Sequence, residues 1–114
     1  MKKNVSIFFL LFVGISGVFA QNSLGFNYQS VIRNAQGEVL SNQQIGLQIS
    51  IVYDNLQGDI VYRERFTIET NQFGLVNLMV GSGNTQQGVF SEIDWGEGDF
   101  FIKIELDENG GSNY

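Results

Sequence analysis

Cysteine and histidine are both absent from this chain of 114 residues. That removes disulfides, thiolate redox chemistry, Ser-His-Asp and Cys-His nucleophile systems and the usual zinc sites together. Basic residues are scarce, with six Lys and Arg against twelve Asp and Glu, and two of the six are Lys2 and Lys3 at the amino terminus. The other four, Arg33, Arg63, Arg65 and Lys103, are scattered along the chain. Phosphate backbones are bound by clustered cations, so the sequence argues against nucleic acid as a partner. Heptads, internal repeats and low-complexity tracts are missing too.

What is present begins with an export signal. Lys2 and Lys3 give a short basic start, residues 7–13 are an almost unbroken apolar run, and Val18, Phe19 and Ala20 supply small residues where a signal peptidase reads. The apolar run is interrupted by Gly14, Ser16 and Gly17, too short for the roughly 18 continuous residues of a membrane span. Residues 1–20 are therefore expected to be a signal peptide cleaved after Ala20, leaving no membrane span and placing the protein outside the cell or on its outer surface. No cysteine near Gln21 offers an acceptor for a lipid anchor. The processed chain, residues 21–114, has four cations against twelve carboxylates, a formal charge of −8, which favours solubility. It is the size of one small domain, held by packing and strand pairing alone.

From Phe26 onward the apolar residues recur at every second position and β-branched and aromatic types dominate, which is strand periodicity. Residues 26–33 read as a strand that turns through 34–37 and resumes at 38–40, as a hairpin or a bent edge. The clearest strand has Ile45, Leu47, Ile49, Ile51 and Tyr53 on one face, with Gly46, Gln48, Ser50 and Val52 on the other. After a polar loop at 54–59, residues 60–70 place Tyr62, Phe66 and Ile68 inward and Arg63, Arg65, Thr67 and Glu69 outward, with Glu64 on the face opposite the two arginines. A tight turn at 71–74 returns residues 75–80 with Val76, Leu78 and Val80 inward, and these two strands are expected to be antiparallel neighbours. Residues 81–98 read as an irregular crossing loop with one helical turn near 90–93. The last strand, 99–107, carries Phe100, Ile102, Ile104 and Leu106 inward and ends in the turn 108–111. A hairpin turn without a returning strand indicates either a fragment of a longer protein or an open strand edge. Short strands with near-regular turn signals predict an all-β fold, an antiparallel immunoglobulin-like or prealbumin-like β-sandwich incomplete at its carboxy-terminal end, with a small barrel as the other arrangement.

The run GFNYQSVIRNAQGEVL at residues 25–40, with Asn42 and Gln43, resembles the pattern GFNYQAVARDASGNPLANQ that opens a family of exported bacterial surface proteins. TNQFGL at 70–75 is similar to that family's TNQFGL, GVFSEIDW at 88–95 to its GTFASIDW, and FIKIELD at 101–107 with GGSNY at 110–114 to its FLKVEIDPTGGTNY. The likeness runs in order through essentially the whole processed chain. It implies an amino-terminal β-sandwich module of the kind found ahead of collagen-like, tail-fibre-like or endosialidase-chaperone segments, with no catalytic residues, a surface or structural role, and assembly into trimers if the parent is fibre-like. Family members continue past this point into a stretch like QLLSVPYALYA and are often exported by the type IX route.

Carboxylates are the remaining candidates for chemistry. Glycoside hydrolysis needs two of them facing each other across a sugar-sized cleft, and Glu92, Asp94, Glu97, Asp99, Asp107 and Glu108 are read as solvated loop acids. Asp94, Glu97 and Asp99, in a glycine-flexed loop, are candidate oxygen ligands for calcium, but their spacing does not match the twelve-residue calcium loop and an unoccupied turn is the favoured reading. Trp95 is either a sugar-stacking platform or a core plug closing one end of the sandwich with Phe90 and Ile93, and its size in a small domain favours the plug. The glycine-rich run 81–88 lacks the lysine of a phosphate loop. Arg63 and Arg65 are read as cross-strand partners more than as a site for an acidic ligand. The expectation is an exported, non-catalytic structural or interaction module, with a carbohydrate-binding module and a fragment of an extracellular enzyme as the alternatives.

Overall fold

The computed structural model, which describes residues 25–114, has six strands, five of them on the segments with period-two alternation. The expected signal peptide and its cleavage after Ala20 lie outside the described residues. The strands are β1 (Phe26–Val31), β2 (Gln44–Tyr53), β3 (Ile60–Glu69), β4 (Leu75–Val80), β5 (Asn84–Gln87) and β6 (Phe100–Asp107), with single 3-10 turns at Phe90–Glu92 and Trp95–Glu97. One sheet has the order β5-β3-β2-β6 and the other is the pair β1-β4, with every pairing antiparallel. The domain is thus small, antiparallel and all-β, with two sheets enclosing one core.

β2 is the centre of that core. Ile45, Leu47, Ile49 and Ile51 are completely buried, and Tyr62, Val76, Leu78, Val80 and Ile102 pack into the same cluster. Each such side chain contributes about 1.5–3 kcal/mol by leaving water. Tyr53 keeps to the same face, paired with Phe100 in the β2–β6 register and with its ring 5.2 Å from that of Phe100, but at the strand end it is exposed.

The opposite face of β2 departs from the expected solvent-facing pattern. Gln48 is 5% exposed and Ser50 is fully buried. Neighbouring strands lay long side chains across them: Arg63 Nε donates to Ser50 Oγ at 2.9 Å, Arg65 Nε to Gln48 Oε1 at 2.9 Å, and Gln48 Nε2 to Glu105 Oε1 at 2.8 Å. The arginine stems cover the strand while their heads stay polar.

After β6, residues 108–114 fold back over this outer face: Gln43 Nε2 donates to the Glu108 carbonyl at 2.7 Å, and the Tyr114 ring lies 5.5 Å from the Arg65 guanidinium. Gly46 is the crossing point, since a Cβ there would sit 2.2 Å from the Gly111 carbonyl oxygen. Gly46→Val is expected to cost about 1–3 kcal/mol by displacing the crossing backbone. Hydrogen exchange should then accelerate at residues 109–113 while β3 amides stay protected. Asp107 anchors the same segment, accepting from the Asn109 N–H and the Asn113 N–H, each at 2.9 Å. Those donors, Asn113 first, hold its carboxyl below the ordinary value of 3.8. Because the folded value is depressed, the stabilisation is complete above 3.8 and is lost as the pH falls through the lower folded value. A carboxyl-carbon NMR titration should show Asp107 protonating below the ordinary aspartate value, with the Asn113 amide shifting in step.

Two further expectations are corrected. β3 and β4 are not neighbours: β4 pairs with β1, and β5 takes the place beside β3. The crossing begins at Thr70, whose Oγ1 donates to the Leu40 carbonyl at 2.6 Å and whose N–H donates to the Gln43 carbonyl at 2.9 Å. The turn itself is as tight as its sequence implies, with Asn71 Oδ1 accepting from Phe73 N and Leu75 N and Gly74 at φ +80°. β5 has the sequence NTQQ and is exposed throughout, so it carries no apolar alternation to read. The turn after β1 closes as a miniature hairpin, with Asn34 Oδ1 accepting from Gln36 N and Glu38 N and an Arg33–Val39 bridge.

Candidate functional site

Strand parity on β3 points Glu64 into the core beside Tyr62 and Phe66, and the residue is completely buried. Its carboxyl accepts from the Gly81 N–H at 2.9 Å (Oε2) and 3.1 Å (Oε1), from the Gly83 N–H at 2.9 Å and from the Tyr62 hydroxyl at 2.7 Å. The glycine-rich loop thus forms a backbone nest of the type that binds anions, and the group in it is the chain's own side chain. Gly81, at φ +106°, adopts the left-handed geometry that aims successive N–H groups at one point. Burial, more than the neighbouring acid, pushes the Tyr62 hydroxyl up to about 12. A folded value above the unfolded 10.0 means this stabilisation is full below pH 10 and lost as the pH rises through about 12. Titration by tyrosinate absorbance should show one tyrosine ionising only as the protein unfolds at alkaline pH, and Tyr62→Phe should remove that late step.

The other candidate region is the end of the sandwich closed by the two 3-10 turns. Trp95 is half-buried and meets Phe90 and Phe100 edge-on at 5.8 and 5.2 Å. Phe90 in turn contacts Tyr62 at 5.2 Å and Phe26 at 6.4 Å. Trp95 therefore packs as a plug, with Ile93 in the same apolar cluster, and the rings it contacts belong to the protein. Beside it is an open groove of about 310 Å³, lined by Val61, Val89, Ile93 and Phe100 with Glu92 and Asp94.

Asp94, Glu97 and Asp99 are all exposed and are not brought together. Asp94 starts a 3-10 turn in which its carbonyl accepts from Glu97 N at 3.0 Å, while the Asp99 carbonyl accepts from Asp54 N at 2.7 Å at the start of β6. Among the described residues no group of three or more acidic side chains is placed to hold a cation. Arg63 and Arg65 are committed to Ser50 and Gln48 across the outer face.

The chemistry this arrangement performs most clearly is on its own backbone. Asn34, Asn71, Glu64 and Asp107 each gather two or more N–H groups from a neighbouring turn. Glu64 is the residue the sequence reading passed over, although its alternation with Tyr62 and Phe66 already placed it inward. No helix among the described residues is long and apolar enough to cross a membrane. Comparisons with protein-family models, curated proteins and solved structures find no match to this chain.

Proposed function

We propose that this chain is an exported, non-catalytic module of the immunoglobulin-like or prealbumin-like sandwich type, with a structural or interaction role at a bacterial cell surface. One observation carries the reading. The sequence blocks that resemble the surface-protein family coincide with the chain's own fastenings: the Asn34 turn, the Asn71 turn, the aromatic end around Phe90 and Trp95, and the Asp107 segment ending at Tyr114. A motif whose polar groups hold backbone specifies a scaffold, and scaffolds act by presenting or joining other segments. The apolar run at residues 7–13 and the cleavage signal at Ala20 support export.

The test is to label intact cells with an impermeant amine- or carboxyl-reactive reagent and to sequence the amino terminus of the labelled protein. Labelling with Gln21 as the first residue is the expected result. A cytoplasmic protein retaining residues 1–20 would overturn the proposal. Binding on a glycan array that is lost in Trp95→Ala would replace the scaffold role with carbohydrate recognition.

A further inference from the structure

Most strand edges in this fold are blunted. β4 has its outward groups at both ends taken by its own turns: Leu75 O accepts from Asn71 N, Leu75 N donates to Asn71 Oδ1, and Met79 O accepts from Ser82 N and Oγ. β5 is only four residues long, and Gln86 Nε2 folds back onto the Asn84 carbonyl. β6 carries Lys103 and Glu105. Short length, local caps and charge are the ordinary protections of an edge.

β1 has none of them. In the β1–β4 register Ile32 faces Gly74, and Ile32 N donates to Gly74 O at 2.8 Å. Alternation then directs the N–H and C=O groups of Phe26, Tyr28 and Ser30 toward β4 and those of Asn27, Gln29 and Val31 away from it. The returning arm of residues 38–40 bonds on the β4 side, through Leu40 N to Ile32 O, and leaves the outer edge clear. The backbone groups of Asn27, Gln29 and Val31 have no partner among the described residues. Their side chains are exposed, Val31 at 42%. Phe26, Tyr28 and Ser30 point toward the core yet are only half-buried, so the flank beside β1 is thinly covered.

We propose that two copies of this chain pair through their β1 edges, antiparallel about a two-fold axis at Gln29. The edge is self-complementary in this register. Gln29 faces the partner's Gln29, Asn27 faces the partner's Val31, and every outward N–H and C=O finds an acceptor or donor, about six hydrogen bonds in all. On the inner face Tyr28 meets the partner's Ser30 and Phe26 meets the partner's Ile32, which covers the flank. β1 carries no charge, and Arg33 falls opposite the partner's Gly25, so the pairing sets no like charges face to face in a chain of formal charge −6. The product is a continuous four-stranded sheet, β4-β1-β1-β4, across two domains.

Sedimentation equilibrium of the purified protein from about 1 μM to about 1 mM spans the affinities such an edge contact gives. The wild type is expected to show a monomer–dimer equilibrium. Gln29→Pro deletes an N–H that faces outward, so β1–β4 pairing survives and the dimer is lost. Gln29→Lys and Gln29→Glu each place like charges across the axis and should weaken the dimer about fivefold, while an equimolar mixture of the two restores it as a heterodimer. A wild type that stays monomeric at about 1 mM overturns the proposal. So does a dimer unchanged by Gln29→Lys, or one that persists in a Gln29→Pro protein with normal melting. Should Gln29→Pro fail to fold, restoration on mixing the charged variants decides the question alone.

Discussion

Glu64→Ala is expected to lower the stability of this protein by about 3–5 kcal/mol, a large part of the roughly 5–10 available to a domain of this size. Truncation leaves the Gly81 N–H, the Gly83 N–H and the Tyr62 hydroxyl facing a cavity. An unsatisfied buried donor costs about 1–3 kcal/mol, and loosening of the β4–β5 turn recovers part of that by admitting water. Urea denaturation should show a lower midpoint with an unchanged slope. Glu64→Gln is the control: it keeps the volume and one acceptor oxygen but turns an amide toward donors, and about half the loss should remain. A Glu64→Ala protein within about 1 kcal/mol of wild type would mean that the glycine turn is held by something other than this carboxyl.

Ile49→Asp should abolish the folded state. Ile49 is completely buried at the middle of β2, with Glu64 as its register partner on β3 and Ile104 on β6. A second acid beside Glu64 enters with no donors to satisfy it, at a cost of several kcal/mol on top of the lost apolar contacts. The conservative change Ile49→Val removes one methylene and should cost about 1 kcal/mol. Far-ultraviolet circular dichroism during heating distinguishes the cases: a cooperative transition for Ile49→Val and none for Ile49→Asp. A retained transition in Ile49→Asp would place the core on the other side of β2.

The inner face of each long strand was legible because burial imposes period two on the sequence, as in Ile45 through Ile51 and Phe100 through Leu106. The outer face of β2 was not, because Gln48 and Ser50 are polar and their burial depends on arginines brought in by β3. β5 was invisible for a related reason: an exposed strand defined only by its neighbour has no apolar pattern of its own. The partner of β4 was misread because a tight Asn-Gly turn has the same sequence whether the chain returns along one sheet or crosses to another. The crossing is decided by Thr70 reaching Leu40, a contact thirty residues apart. At the candidate site, the aromatic plug around Trp95 was legible from side-chain size. The nest around Glu64 joins an inward acid on one strand to glycine amides on a distant loop, and no local pattern connects the two.

The pairing of β1 with β4 also sets the order of events in folding. Val31 meets Leu75 and Phe26 meets Val80, so the first described strand acquires its partner only after β2 and β3 have been made. Closing so long a loop is entropically unfavourable and is rewarded only when the whole core condenses. Such non-local topologies fold in about milliseconds to seconds, slower than chains built from neighbouring hairpins. The amino-terminal half therefore has no stable resting point of its own. The core is complete only when β6 adds Phe100, Ile102 and Ile104 beside β2, so the domain folds as one unit.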